Sequence, residues 1–185
     1  MFGLWRDTKR NKDIGERMVL FIIAPKDYRD EECFYTKEEI ETRGITAVIA
    51  STSPGEKSGM LGGTIKAEIA LSEAKPEDYD AVVFVGGTGS SVYFNDPLAH
   101  KIAKEAYSAG KIVGAICIAP VILANAGILK GKKATVYPAD AGISALKKAG
   151  ASYTGKLVEA DGRIITGSGP EAAREFGKRI AAAIS

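Results

Sequence analysis

Four short apolar runs, three of them followed by a loop and a helical stretch, constrain this chain more than any other feature. They are Met18–Ile23, Thr46–Ala50, Ala81–Val85 and Lys111–Ile116. Unbroken apolar runs of this length suit strands buried on both faces, as in parallel sheets. Helices are expected over 31–43, stopped by Gly44, over 97–109, and over 121–126, stopped by Gly127. Later, 133–137 reads as a short strand, 143–149 as a helix, and 157–166 as two strands around Asp161-Gly162. The closing helix is expected over 170–184, with Phe176, Ile180 and Ala183 on its buried face. The Ser-, Gly- and Pro-rich stretch 51–63 reads as a loop, and 64–70 as a strand or hairpin at an edge. Strands alternating with helices predict an α/β fold, a doubly wound sandwich around a mostly parallel central sheet. A single domain is expected over 18–185, preceded by a polar extension over 1–17.

In such folds ligands bind at the carboxyl ends of the strands. Three loops share that end: Ala24–Glu32, Gly86–Ser91 and Cys117–Pro120. Cys117 stands where the fourth apolar run meets a helix start. A sharp strand-to-helix turn pushes the side chain out at the end of the sheet, with small Ala115 and Ala119 two positions to either side. The helix that follows is expected to favour thiolate over thiol. The bland alternative is a small apolar residue in a core; the elbow context argues against it.

Gly86-Gly87-Thr88-Gly89 closes the third run. Glycines there allow close approach of a ligand, and their N–H groups suit an oxyanion. The spacing argues against a dinucleotide-binding loop, since the third small residue is missing and the strand is not the first. Asp30, Glu31 and Glu32 all sit at a helix start, where acids complement the dipole. One of them pressed against an apolar site would have a raised pKa and work as an acid or base; the residues alone do not choose which. His100, inside a helix beside Lys101, reads as solvated, and Cys33 as core packing.

Composition narrows the function classes. With 25 basic and 23 acidic residues the formal net charge is +2, so nothing demands nucleic acid or an anionic membrane as partner. No apolar run reaches the length of a membrane span, and residues 1–17 carry no signal-peptide core, so a cytoplasmic protein is expected. Two cysteines and one histidine supply neither a disulfide framework nor a zinc site, and no metal or cofactor is expected.

Taken together, Ala115-Ile116-Cys117-Ile118-Ala119-Pro120, Asp80 to Gly87, Asp30-Glu31-Glu32 and Thr166 to Pro170 resemble the ThiJ/PfpI superfamily over about residues 18–184. That group comprises protein deglycases, PfpI-type intracellular cysteine peptidases and glyoxalase III-like enzymes. The resemblance implies a flavodoxin-like fold of the class I glutamine-amidotransferase type and a homodimer or higher homo-oligomer. It implies Cys117 as nucleophile and Glu32 as its protonated carboxyl partner. The oxyanion would be held by N–H groups of the Gly86-Gly87 loop and of Ile118. Peptidase-like members carry histidine directly after the cysteine; Ile118 cannot move a proton. The implied chemistry is therefore cysteine-dependent action on reactive carbonyls or glycated protein adducts, a stress-protective activity. A cysteine redox sensor and a PfpI-type peptidase are the alternatives.

Overall fold

The computed structural model describes residues 15–185. The expected extension over 1–17 lies outside them except for its last three residues. Of these, Arg17 C=O accepts from Thr46 N–H at 2.9 Å, and the Arg17 guanidinium lies 3.7 Å from Asp80.

In chain order the elements are β1 Met18–Ile22, β2 Lys26–Tyr28, α1 Asp30–Glu41, β3 Thr46–Ser51, β4 Gly55–Gly59, β5 Thr64–Ala67 and β6 Ile69–Ala70. There follow β7 Ala81–Phe84, α2 Pro97–Ser108, β8 Ile112–Ile116, α3 Pro120–Asn125, β9 Lys133–Ala134 and α4 Asp140–Lys148. The chain closes with β10 Ser152–Tyr153, β11 Val158–Asp161, β12 Ile164–Gly167 and α5 Ala173–Ile184. The central seven-stranded sheet has the order β11-β12-β8-β7-β1-β3-β6. Every pairing in it is parallel except the β11–β12 hairpin.

Each strand of the sheet interior feeds two cores. Leu20 and Ile22 pack with Ile102, Ile122 and Leu146 from α2, α3 and α4. Val19 and Phe21 pack on the other face with Cys33 and Ile40 of α1 and with Phe176 and Ile180 of α5. Both faces are covered, which is why these strands read as continuous apolar runs. Phe176 and Ile180 are buried in α5 as expected, but Ala183 faces solvent and Ala181 and Ile184 complete the stripe.

Two expectations are corrected. Residues 51–63 are not all loop: Gly55–Gly59 is a strand, antiparallel to β5 and parallel to β2 in a separate three-stranded sheet. Backbone pairing, rather than an apolar pattern, makes this hairpin. The strand expected over 133–137 ends at Ala134. Beyond it Thr135 N–H leaves the ladder for the Thr166 hydroxyl, at 2.9 Å.

The chain leaves β1 for β3 on one side and returns to β7 on the other. The loops after β1 and β7 therefore diverge at the topological switch point, and the loop after β8 lies one strand further along.

Candidate active site

Cys117 follows β8 directly and has φ +64°, left-handed backbone that L residues other than Gly, Asn and Asp rarely adopt. The conformation is fixed from both sides. Cys117 N–H donates to Gly167 C=O at 2.9 Å, and Cys117 C=O accepts from Tyr137 N–H at 2.8 Å. Such strain persists only where surrounding structure over-determines it. Cys117 is 9 % exposed, so the surrounding loops nearly enclose it.

Of the three acids at the start of α1, the structure separates the roles. Glu31 turns outward and pairs with Arg29, Nε to Oε2 at 2.8 Å and Nη2 to Oε1 at 3.1 Å. Asp30 is buried and accepts from Leu61 N–H at 2.8 Å and Gly63 N–H at 2.7 Å. Glu32 is wholly buried, and neither of its carboxyl oxygens completes a hydrogen bond of full geometry among the described residues.

Gly86 brings Glu32 and Cys117 together. A Cβ there would lie 2.5 Å from Glu32 Oε2 and 2.6 Å from Cys117 Cβ, so only glycine leaves room for both. Gly87, at φ +99°, adopts a conformation reserved for glycine, and a Cβ on it would strike the backbone of Asp27–Arg29. The two loops are also bonded: Arg29 N–H donates to Gly86 C=O at 3.0 Å.

Burial pushes the Glu32 carboxyl up to about 7, against the Cys117 sulfur and the Gly86 N–H, which favour its charged form. The Cys117 thiol is pushed up to about 12 by burial and by the Glu32 charge, against the N–H groups of Gly87 and Ile118. The expectation that the elbow lowers the thiol value is therefore corrected. α3 has only six residues and starts at Pro120, so desolvation and the neighbouring carboxyl outweigh its few free N–H groups. The direction that matters is that of Glu32. A protonated Glu32 removes the repulsion on the sulfur and turns into a donor beside it, and the pair passes from two protons to one as pH rises through about 7.

The candidates from sequence thus converge: Glu32, Gly86, Gly87, Cys117 and the Ile118 N–H occupy one spot. His100 is elsewhere, on α2, with Nε2 2.8 Å from Phe94 C=O. Cys33 lies in the core, its thiol pushed up to about 12 by burial. Sequence reasoning missed two residues of this end. Arg29 is close enough for its cation to act on Glu32. Asp27 has φ +58°, and the backbone it turns is the surface against which Gly87 packs. The Lys26-Asp27 pair before an apolar Tyr28 carried a turn signal that was open to reading.

The DJ-1/PfpI family profile matches residues 17–183. Over 178 residues the chain is 46% identical to a Methanocaldococcus jannaschii protein named only as uncharacterized protein MJ0967, covering 96% of this chain and 87% of that one. It is 32% identical over 155 residues to Deglycase TK1284 of Thermococcus kodakarensis, covering 83% and 91%. The crystal structure of a ThiJ/PfpI domain protein from Brachyspira murdochii superposes with a TM-score of 0.87 at 31% identity, covering 91% of this chain and 96% of that one. The strained elbow, the buried carboxyl beside it and these likenesses agree, and the chain belongs to the DJ-1/PfpI family.

Proposed function

We propose that this protein uses Cys117 and Glu32 to convert small reactive carbonyls, 2-oxoaldehydes above all, or their adducts on proteins. One observation carries the reading: a wholly buried carboxyl whose polar neighbours are the Cys117 sulfur and the Gly86 N–H, set against a thiol on a strained elbow. A carboxyl buried against a thiol calls for an explanation, and proton transfer to and from that sulfur and its adducts supplies one. The deglycase name of a relative 32% identical supports the same substrate class.

In this reading the Cys117 sulfur bonds to the aldehyde carbon as the carbonyl π bond breaks. The oxygen, held by the Gly87 and Ile118 N–H groups, takes the proton shared by Cys117 and Glu32. The Glu32 carboxylate then moves a proton from that carbon to its neighbour while a second proton passes between the two oxygens. The hemithioacetal becomes the thioester of a 2-hydroxy acid. Water cleaves the thioester and restores the thiol. Carbon is oxidised at one position and reduced at the next, so no external oxidant or cofactor enters. Peptide hydrolysis would also need an acid for a leaving amine, and Ile118 offers none. We place the activity in the cytoplasm and in a homodimer or higher homo-oligomer.

The test is turnover of methylglyoxal, a glycated peptide and casein by the native protein and by Cys117→Ala and Glu32→Gln. Carbonyl turnover lost in both variants is expected. Casein cleavage dependent on Cys117 would overturn the reading. Absence of carbonyl turnover with ready Cys117 sulfinate formation in dilute peroxide would replace it with a redox sensor.

A further inference from the structure

Asp30 stands two residues before Glu32 on the first turn of α1, and the two side chains leave the helix on nearly opposite sides. Glu32 faces Gly86 and Cys117, whereas Asp30 faces the tip of the β4–β5 hairpin. The hairpin tip is built around that one carboxylate. Both Asp30 oxygens are used, Oδ2 by Leu61 N–H and Oδ1 by Gly63 N–H, and the residue is 7 % exposed. A Cβ on Gly59 would fall 2.5 Å from the carboxylate, and one on Gly63 would overlap it and the Phe34 ring. Glycine at both positions is what lets the carboxylate sit this close to the tip.

The same tip holds the loop that leads into α1. Met60 N–H donates to Tyr28 C=O at 2.9 Å, and the Tyr28 hydroxyl donates to Gly63 C=O at 3.2 Å. On its far side this loop meets Gly87 and bonds Gly86 through Arg29 N–H. Hairpin tip, loop 26–29, oxyanion loop and elbow therefore form successive layers, with α1 starting between the first and the last. Asp30 is not among the groups acting on the Cys117 thiol, so its influence there passes through the placement of α1.

We infer that Asp30 is a positioning residue for the candidate active site: by clamping the Gly59–Gly63 tip onto α1 it fixes the Glu32 carboxyl, dry and close, against the Cys117 sulfur. This rests on the reading that Glu32 works on Cys117. The groups acting on Glu32 are Cys117, the Gly86 N–H, Arg29 and Glu31; Asp30 is not one of them. Loosening the clamp admits water to Glu32, and its titration then falls toward that of an ordinary carboxylate.

The experiment is the pH dependence of Cys117 alkylation by iodoacetamide, with the modified cysteine assigned by mass spectrometry, in the native protein, Glu32→Gln, Asp30→Asn and Gly63→Ala. Asp30→Asn removes a charge and an acceptor. Gly63→Ala keeps the charge but displaces the carboxylate, so agreement between the two separates placement from charge. Circular dichroism establishes that each variant is folded. The native rate is expected to step up near pH 7, and Glu32→Gln to lose that step. Both clamp variants are expected to move the step down by about one pH unit and to lower the plateau above it about tenfold, because a more acidic Glu32 leaves the remaining proton of the pair on sulfur; the rate at pH 7 then falls several-fold. A folded Asp30→Asn or Gly63→Ala with an unchanged profile would overturn the proposal and leave Asp30 a structural anchor only. If Glu32→Gln keeps the native step, the coupling of Glu32 to Cys117 falls, and this inference with it. Failure of carbonyl turnover alone leaves the alkylation profiles, and so this proposal, standing.

Discussion

Arg29 N–H and Gly86 C=O are 3.0 Å apart, a single backbone bond that stitches the loop entering α1 to the loop leaving β7. The acid and the candidate oxyanion donors are therefore carried by two loops bonded to each other. The cysteine is brought to these loops by the elbow, whose N–H and C=O are both engaged.

Gly86→Ala tests this packing directly. The added methyl would lie 2.5 Å from Glu32 Oε2 and 2.6 Å from both Cys117 Cβ and Ile116 C=O; the last two are fixed by the backbone. Overpacking of this kind costs about 1–3 kcal/mol. Because the displaced groups are the acid and the nucleophile, carbonyl turnover is expected to drop more than tenfold in a folded variant. Urea unfolding and steady-state kinetics read the two effects separately.

Glu32 imposes a pH dependence on stability. Its pKa rises from 4.5 to about 7 on folding, chiefly through burial. Between those values the folded state holds a proton that the unfolded state has lost. The contribution is thus fully present below pH 4.5 and disappears as pH rises through 7. Its size is on the order of 3 kcal/mol, since a tenfold change in proton affinity is worth about 1.4 kcal/mol. Urea midpoints measured from pH 4.5 to 8 are expected to fall in the native protein relative to Glu32→Gln. Parallel curves for the two proteins would show that Glu32 is solvated.

The elbow stores strain at one residue. Cys117→Gly and Cys117→Ala both delete the thiol, but at φ +64° only glycine escapes the clash of Cβ with the backbone. Cys117→Gly is therefore expected to unfold at higher urea than Cys117→Ala, by about 1 kcal/mol in stability. The reverse order would mean that the elbow relaxes once the sulfur is gone.

His100→Ala separates this site from a Cys-His design. His100 is the single histidine of the chain and is bonded to Phe94 C=O on the other side of the sheet. The variant is expected to lose about 0.5–1.5 kcal/mol of stability with its hydrogen bond and to keep kcat/KM within twofold. A tenfold loss of kcat/KM would place a histidine in the reaction.

Much of this was legible in the residues because burial writes itself as composition. Val19–Ile22 and Ala81–Phe84 are apolar on both faces since helices cover both faces. Cys117 and Gly86-Gly87 were visible because sharp turns at strand ends demand small residues. Glu32 was not separable from Asp30 and Glu31 by residue type. All three suit a helix start, and only their directions around the helix assign one to Arg29, one to the hairpin tip and one to the sulfur. The β4 strand stayed hidden because Gly55-Glu56-Lys57-Ser58-Gly59 carries no apolar alternation. The raised thiol value was also illegible, since it depends on how deeply distant segments bury one side chain.

The carbonyl that receives Cys117 N–H belongs to Gly167, in the last strand of the sheet, and α5 must pack before that strand is covered. The turn that follows β8 is thus completed by a strand formed much later in the chain. The left-handed conformation of Cys117 is a property of the assembled sheet, and no peptide cut from around the cysteine carries the pairing that holds it.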